Sequence, residues 1–168
     1  MSETRLANLY KKIYSRPLLV RVLRVIGKAA VVAVALLSLY IAFGCVYEGR
    51  YIDAVKLVIM AGVPFCIVTL MRSLIDMKRP YEVIDSPELI LATEGRKAGK
   101  SFPSRHVFSS FVLGTLAFSY SLPLATIILI LGVYMAVERV LLGIHFVKDV
   151  LVGALIGIAS GVIGLLFL

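Results

Sequence analysis

Charge is scarce in this chain. Only 17% of its 168 residues are Asp, Glu, Lys or Arg, while 60% are hydrophobic before Gly is counted. A soluble domain carries about 25% charged residues and about 45–50% apolar ones with Gly included. Mean hydropathy is +0.97. That much apolar surface exceeds what one small core can bury, which excludes a soluble domain. It excludes a disordered chain for the same reason. Cysteine is limited to Cys45 and Cys66. Both sit in apolar runs at different apparent depths, so no disulfide framework is expected. Two histidines and scattered acids make no metal-ligand pattern. No internal repeat and no low-complexity tract is present. The first apolar run starts only after Lys28, which is not the layout of a signal peptide.

What is present suits a bilayer. At roughly 20 residues per span, the chain holds at most about six or seven spans. It therefore reads as one all-α helical bundle of five to six transmembrane helices. The net charge of +8 would raise nucleic-acid binding in a soluble protein. Here no nucleic-acid partner is expected, and the position of the charges reports orientation instead.

Two regions follow along the chain. Residues 1–28 form a basic amphipathic segment, with Arg21, Arg24 and Lys28 mostly opposite an apolar stripe and Pro17 in the middle. Its charges argue for an interfacial helix rather than a span. Residues 29–168 form the transmembrane domain. Spans are predicted over 29–46, 54–71, about 103–121, about 124–142 and about 146 to the C-terminus. Residues 72–102 are the one long polar stretch, and a loop of that length is usually functional or disordered. Gly153, Gly157 and Gly161 give the last span a small-residue face. Packing within the bundle is expected there, ahead of dimerisation. Oligomeric state stays open.

Ionisable groups beside membrane spans point to function. Three clusters stand out: Arg72 with Arg79 and Pro80, residues 101–106 (Ser-Phe-Pro-Ser-Arg-His), and Arg139 with His145 and Asp149. Alternation of spans puts all three on one membrane face. Guanidinium groups aimed at one point suit a phosphate, because their forked donors match its oxygens. If the second span continues as a helix, Arg72 and Arg79 lie two turns apart on nearly one face. Pro103 fits the first turn of a helix whose N-terminus, with Ser104, would offer an anion site. His145 and Asp149 are at i and i+4, so the carboxylate can hold one ring nitrogen and leave the other nucleophilic. His106 would then protonate the leaving oxygen and later activate water. The pattern reads as phosphoryl transfer through a phosphohistidine, with arginines stabilising the transferring group. No metal and no cofactor is called for.

These residues resemble the type 2 phosphatidic acid phosphatase (PAP2) superfamily. Its signature is K-x6-R-P, then P-S-G-H, then S-R-x5-H-x3-D. This chain reads R-x6-R-P from Arg72, P-S-R-H from Pro103 and E-R-x5-H-x3-D from Glu138. The resemblance covers residues from about 55 to 160. It implies His145 as nucleophile, Asp149 as its orienter and His106 as acid–base. It implies phosphate binding by Arg72, Arg79, Ser104 and Arg139, with a backbone donor at Arg105. It also implies a metal-independent, vanadate-sensitive enzyme with a helical core. Arg72 stands where the signature has Lys, Arg105 where it has Gly, and Glu138 where it has Ser.

A site at the mouth of a bundle favours a lipid phosphate substrate. Candidates are polyprenyl diphosphate, phosphatidylglycerol phosphate and phosphatidate. All but Arg50 and Lys56 of the 18 basic residues fall on the site side. The positive-inside rule then turns the site of this multi-pass cell-membrane protein to the cytoplasm. Two rival readings are a lipid phosphotransferase and a non-enzymatic anion channel or transporter.

Overall fold

A computed structural model describes residues 3–167. Among them lie eight α-helices and one 3-10 turn. The helices are α1 (Glu3–Tyr14), α2 (Pro17–Tyr47), α3 (Tyr51–Ile75), α4 (Pro80–Val83), α5 (Pro87–Thr93), α6 (Arg105–Leu116), α7 (Leu122–Leu141) and α8 (Val147–Leu165). The protein is an all-α multi-pass membrane bundle. Helices α2, α3, α7 and α8 are long and apolar enough to cross a membrane.

The expected third span differs. Helix α6 has 12 residues, continued by the 3-10 turn Ala117–Ser119. At about 1.5 Å per residue it is shorter than the roughly 30 Å hydrocarbon core. Its position explains this. It packs most closely on α8 and α7 and also meets α3 and α2. Val107, Phe108, Val112 and Leu116 are fully buried. A helix walled by protein along most of its length can end inside the membrane, because its terminal groups find partners there rather than lipid.

Helix α2 has no break at residue 28. Its 31 residues run well beyond one hydrocarbon core, so its basic first turns stand at headgroup level. Pro17 sits at its start, where a missing N–H does no harm. The chain bends at Ser15-Arg16, and α1 folds back across the end of the bundle. Tyr14 donates to the Leu142 carbonyl at 3.0 Å and Tyr10 to that of Val140 at 3.4 Å. Helix α1 therefore lies beside the α7–α8 connection.

The glycine face of α8 packs within the bundle. A Cβ on Gly153 would lie 2.8 Å from the Ser104 carbonyl oxygen, and one on Gly157 2.7 Å from that of Phe108. This close approach of α8 to α6 sets the spacing of the site, because Ser104 and Asp149 begin the facing ends. Cys45 and Cys66 are free thiols.

Candidate active site

Four segments meet at one end of the bundle: the end of α3, the loop before α6, the start of α6, and the α7–α8 connection. Gly143 turns that connection at φ 62. His145 follows, outside α8, and Asp149 lies one turn inside it. Asp149 Oδ2 accepts the Phe146 N–H at 3.0 Å, closing the helix start. The same oxygen lies 3.5 Å from His145 Nδ1.

A serine completes this pair. Ser101 is fully buried, and its hydroxyl donates to Asp149 Oδ2 at 2.5 Å. Its Oγ is also 3.3 Å from His145 Nδ1. An N–H on Nδ1 therefore has the Ser101 oxygen as its nearest acceptor, and Nε2 is left free. Burial lowers the proton affinity of His145; hydrogen bonding to Asp149 raises it, and the charges of Arg79 and Arg72 lower it further. The net direction is down, so the ring is held neutral.

The arginines do two things. Arg72 is 5% exposed and donates through Nη1 to the carbonyls of Ser101, at 3.2 Å, and Pro103. Arg79 donates through Nε to the Gly99 carbonyl at 2.9 Å. Its guanidinium stands 5.9 Å from the Tyr81 ring centre. Glu82 accepts from the N–H groups of Arg79, at 2.7 Å, and Gly99, at 2.9 Å. The long polar loop is thus an ordered strap, pinned by cations and carrying two short helices. The helix of α3 does not continue to Arg79. It stops at Asp76 in the left-handed conformation, whose carboxylate accepts the Lys100 N–H at 3.0 Å. Convergence of Arg72 and Arg79 comes from this strap, not from a shared helix face.

Pro103 also lies outside a helix. Helix α6 begins after Ser104, whose N–H donates to the Asp149 carbonyl at 2.9 Å. The buried Ser104 Oγ has no partner among the described residues. His106 opens to the adjoining cleft, within electrostatic range of Arg139, His145, Arg105 and Arg72. The eight residues singled out in the sequence therefore lie together at this end of the bundle. Ser101 stood within the 101–106 cluster without a role of its own, and Glu82 and Gly99 escaped the sequence reading. Nothing in the spacing of Ser101 marks it, since its partners lie 44 and 48 residues away.

A profile of the PAP2 superfamily matches residues 53–168. The chain belongs to the PAP2 superfamily. This places it among the phosphoric ester hydrolases. None of the curated proteins matches it significantly. Two solved structures share its fold. One is LpxE from Aquifex aeolicus, with TM-score 0.70 and 23% identity over 94% of this chain and 93% of that one. The other is the first transmembrane PAP2-type phosphatidylglycerolphosphate phosphatase from Bacillus subtilis. It has TM-score 0.72 and 21% identity over 98% of this chain and 84% of that one.

A chain of adjoining hollows leaves the site of this PAP2 protein and runs along α2 and α3 to their exposed outer face. A hollow of about 310 Å³ begins at Arg105 and His106 and reaches Ala35, Phe65 and Leu113. Those three residues also line a second hollow of about 440 Å³. That one shares Leu39, Ala42 and Val58 with a third of about 820 Å³, ending near Tyr51. Away from His106 the walls are almost entirely apolar. Helices α2 and α3 form most of them.

Proposed function

We propose that this chain hydrolyses a phosphomonoester or diphosphate headgroup of a membrane lipid through a phosphohistidine. The row of hollows carries the substrate half of this reading. An apolar passage that begins at a histidine and runs along two membrane helices fits an acyl or polyprenyl chain, with the phosphate beside His106. A free sugar or peptide phosphate would leave those walls unfilled. Polyprenyl diphosphate, phosphatidylglycerol phosphate and phosphatidate all meet this requirement. The name of one similar structure, a phosphatidylglycerolphosphate phosphatase, agrees with a lipid phosphate.

The chemistry follows from the hydrogen bonds. His145 Nε2 attacks phosphorus while the bond to the leaving oxygen breaks. His106 gives that oxygen a proton. Ser101 and Asp149 hold the Nδ1 side and stabilise the charge that forms on the ring. His106 next takes a proton from water, whose oxygen attacks phosphorus. The P–N bond breaks, and phosphate leaves with His145 neutral again. Arg79, Arg105, Arg139, the remaining donors of Arg72 and the unpartnered Ser104 hydroxyl bind the phosphoryl oxygens. Such preorganised donors supply much of the stabilisation in phosphoryl transfer.

The basic bias favours a cytoplasmic-facing site, together with α1. Protease access to terminal tags in oriented vesicles tests that assignment, and shielding from the outside is expected.

Phosphate release from a lipid panel tests the activity. Purified protein is expected to release phosphate in EDTA, to be inhibited by vanadate and to fail as His145→Ala. Full activity of His145→Ala would defeat the phosphohistidine. Transfer of the phosphoryl group to a second lipid, without phosphate release, would favour the phosphotransferase. Phosphate passage across vesicles by His145→Ala, without hydrolysis by the parent protein, would favour the transporter.

A further inference from the structure

Arg21, Arg24 and Lys28 of α2 take no part in the catalytic centre. They stand at i, i+3 and i+7, along one side of the helix. With Tyr14 of α1 and Ala92 of α5 they line a cavity of about 460 Å³. That size falls within the range of small-molecule sites, about 300–1,000 Å³. Arg24 donates through Nη2 to the Ala92 carbonyl at 3.1 Å. Among the described residues no acidic side chain lines the cavity, and none pairs with Arg21, Arg24 or Lys28. Like charges three and four residues apart on a helix repel one another. An anion between them would attract each cation and relieve that repulsion.

Position indicates the source of the anion. The cavity lies along the first turns of α2, which stand at headgroup level. Leu18, Val25 and Ile26 are exposed in the same turns. Cations inside a hollow with bare aliphatic side chains beside it match the junction between a phospholipid's headgroup and its acyl chains. A free inorganic anion would engage the cations alone.

The walls of the cavity lead to the catalytic connection by direct contacts. Tyr14 donates to the carbonyl of Leu142, which precedes His145 by three residues. Leu89 of α5 packs with Tyr10 of α1 in a cluster that takes in Phe146. A Cβ on Gly143 would lie 2.7 Å from Leu89 Cδ1. Helices α1 and α5 thus brace Gly143 and Phe146, on either side of His145. We propose that the cavity holds the headgroup of an anionic bilayer phospholipid other than the substrate, which ties α2 to α1 and α5 and so steadies the connection that carries His145. Binding stands apart from the lipid-phosphatase reading, and the effect on turnover rests on it.

Fluorescent phosphatidylserine tests the site. It is a phosphodiester, which the reaction proposed above does not cleave. His145→Ala protein in phosphatidylcholine nanodiscs is expected to bind it. Adding Arg21→Gln or Lys28→Gln should weaken that binding about fivefold, the worth of one basic residue at an anionic surface. Lys11→Gln removes the same charge from α1, outside the cavity, and should leave binding close to the parent's. All three side chains are exposed, so these changes leave the packing intact. An equal loss in Lys11→Gln would mark diffuse attraction and overturn the site. Displacement of the label by inorganic phosphate as readily as by unlabelled phosphatidylserine would show that a free anion suffices, and the proposal would be wrong. With a soluble aryl phosphate at saturation, phosphatidylserine in the disc should raise kcat several-fold in the parent protein, but not in Arg21→Gln or Lys28→Gln. Amide exchange in α1 and α5 should slow in the same discs, which reads the bracing without turnover. Unchanged exchange with unchanged kcat would overturn the bracing. Since binding and exchange need no hydrolysis, failure of the phosphatase reading is separate from failure of this one.

Discussion

Ser101 Oγ lies 2.5 Å from Asp149 Oδ2 and bridges that carboxylate to His145 Nδ1, 3.3 Å away. The direct His145–Asp149 separation is longer, 3.5 Å. The hydroxyl is therefore the better-placed partner of the imidazole. Ser101→Ala is expected to lower kcat about tenfold to a hundredfold, the range for loss of one or two positioning hydrogen bonds at about 1.4 kcal/mol per decade. KM should change little. Ser101→Thr keeps the hydroxyl and should recover most of the rate. Steady-state phosphate release on the three proteins checks this, and an unchanged kcat in Ser101→Ala would remove the serine from the mechanism.

The two histidines are predicted to fail differently. His145→Ala should abolish turnover and leave no labelled protein. His106→Gln should slow both half-reactions by about 10²–10⁴, the usual worth of a general acid–base. A substrate with a good leaving group needs no acid for the first step, so His106→Gln should then accumulate phosphoprotein. Acid-labile, base-stable label from a ³²P-labelled aryl phosphate is the measurement. Label on His145→Ala would move the nucleophile elsewhere.

The lowered proton affinity of His145 has a signed consequence. Burial keeps the folded ring neutral below the ordinary value of 6.5. As pH falls through about 6.5, the unfolded chain takes up a proton there before the folded chain does. Stability is full above that value and declines below it, until the folded ring also protonates. Melting in detergent should therefore fall between pH 7 and pH 5, and less steeply in His145→Asn. The activity should also persist below pH 6.5, since the nucleophile stays deprotonated. A rate that tracks an ordinary histidine would contradict the burial argument.

Glycines in the bundle should divide by their surroundings. Gly157→Val places side-chain atoms against the Phe108 carbonyl and should destabilise by about 1–3 kcal/mol or more through overpacking. It should reduce activity too, because α6 carries His106 and Ser104. A Cβ on Gly62 of α3 would meet no neighbour within 4 Å. Gly62→Ala should be neutral or stabilise by up to about 1 kcal/mol through helix propensity. Thermal unfolding of the two variants in detergent checks both.

Much of this molecule was legible in one dimension. Long uncharged runs mark α2, α3, α7 and α8, because lipid tolerates so few polar groups. The scarcity of charge then made Arg72, Arg79, His106, Arg139, His145 and Asp149 visible. Their order alone placed them at one end of an alternating bundle.

Other features depended on contacts that spacing does not encode. Helix α6 is short because protein walls most of it, and hydropathy cannot tell a protein wall from a lipid one. The polar stretch 72–102 became a strap because Asp76, Glu82, Arg72 and Arg79 each found backbone partners 17 to 31 residues away. Ser101 joined the histidine because the glycine face of α8 lets α6 approach closely. Sequence by itself determined a membrane bundle and the list of phosphate-type residues. Only tertiary packing decided which serine meets His145 and that Glu138 of α7 lies against Gly27 of α2, since these depend on distances between segments rather than on the order of residues within them.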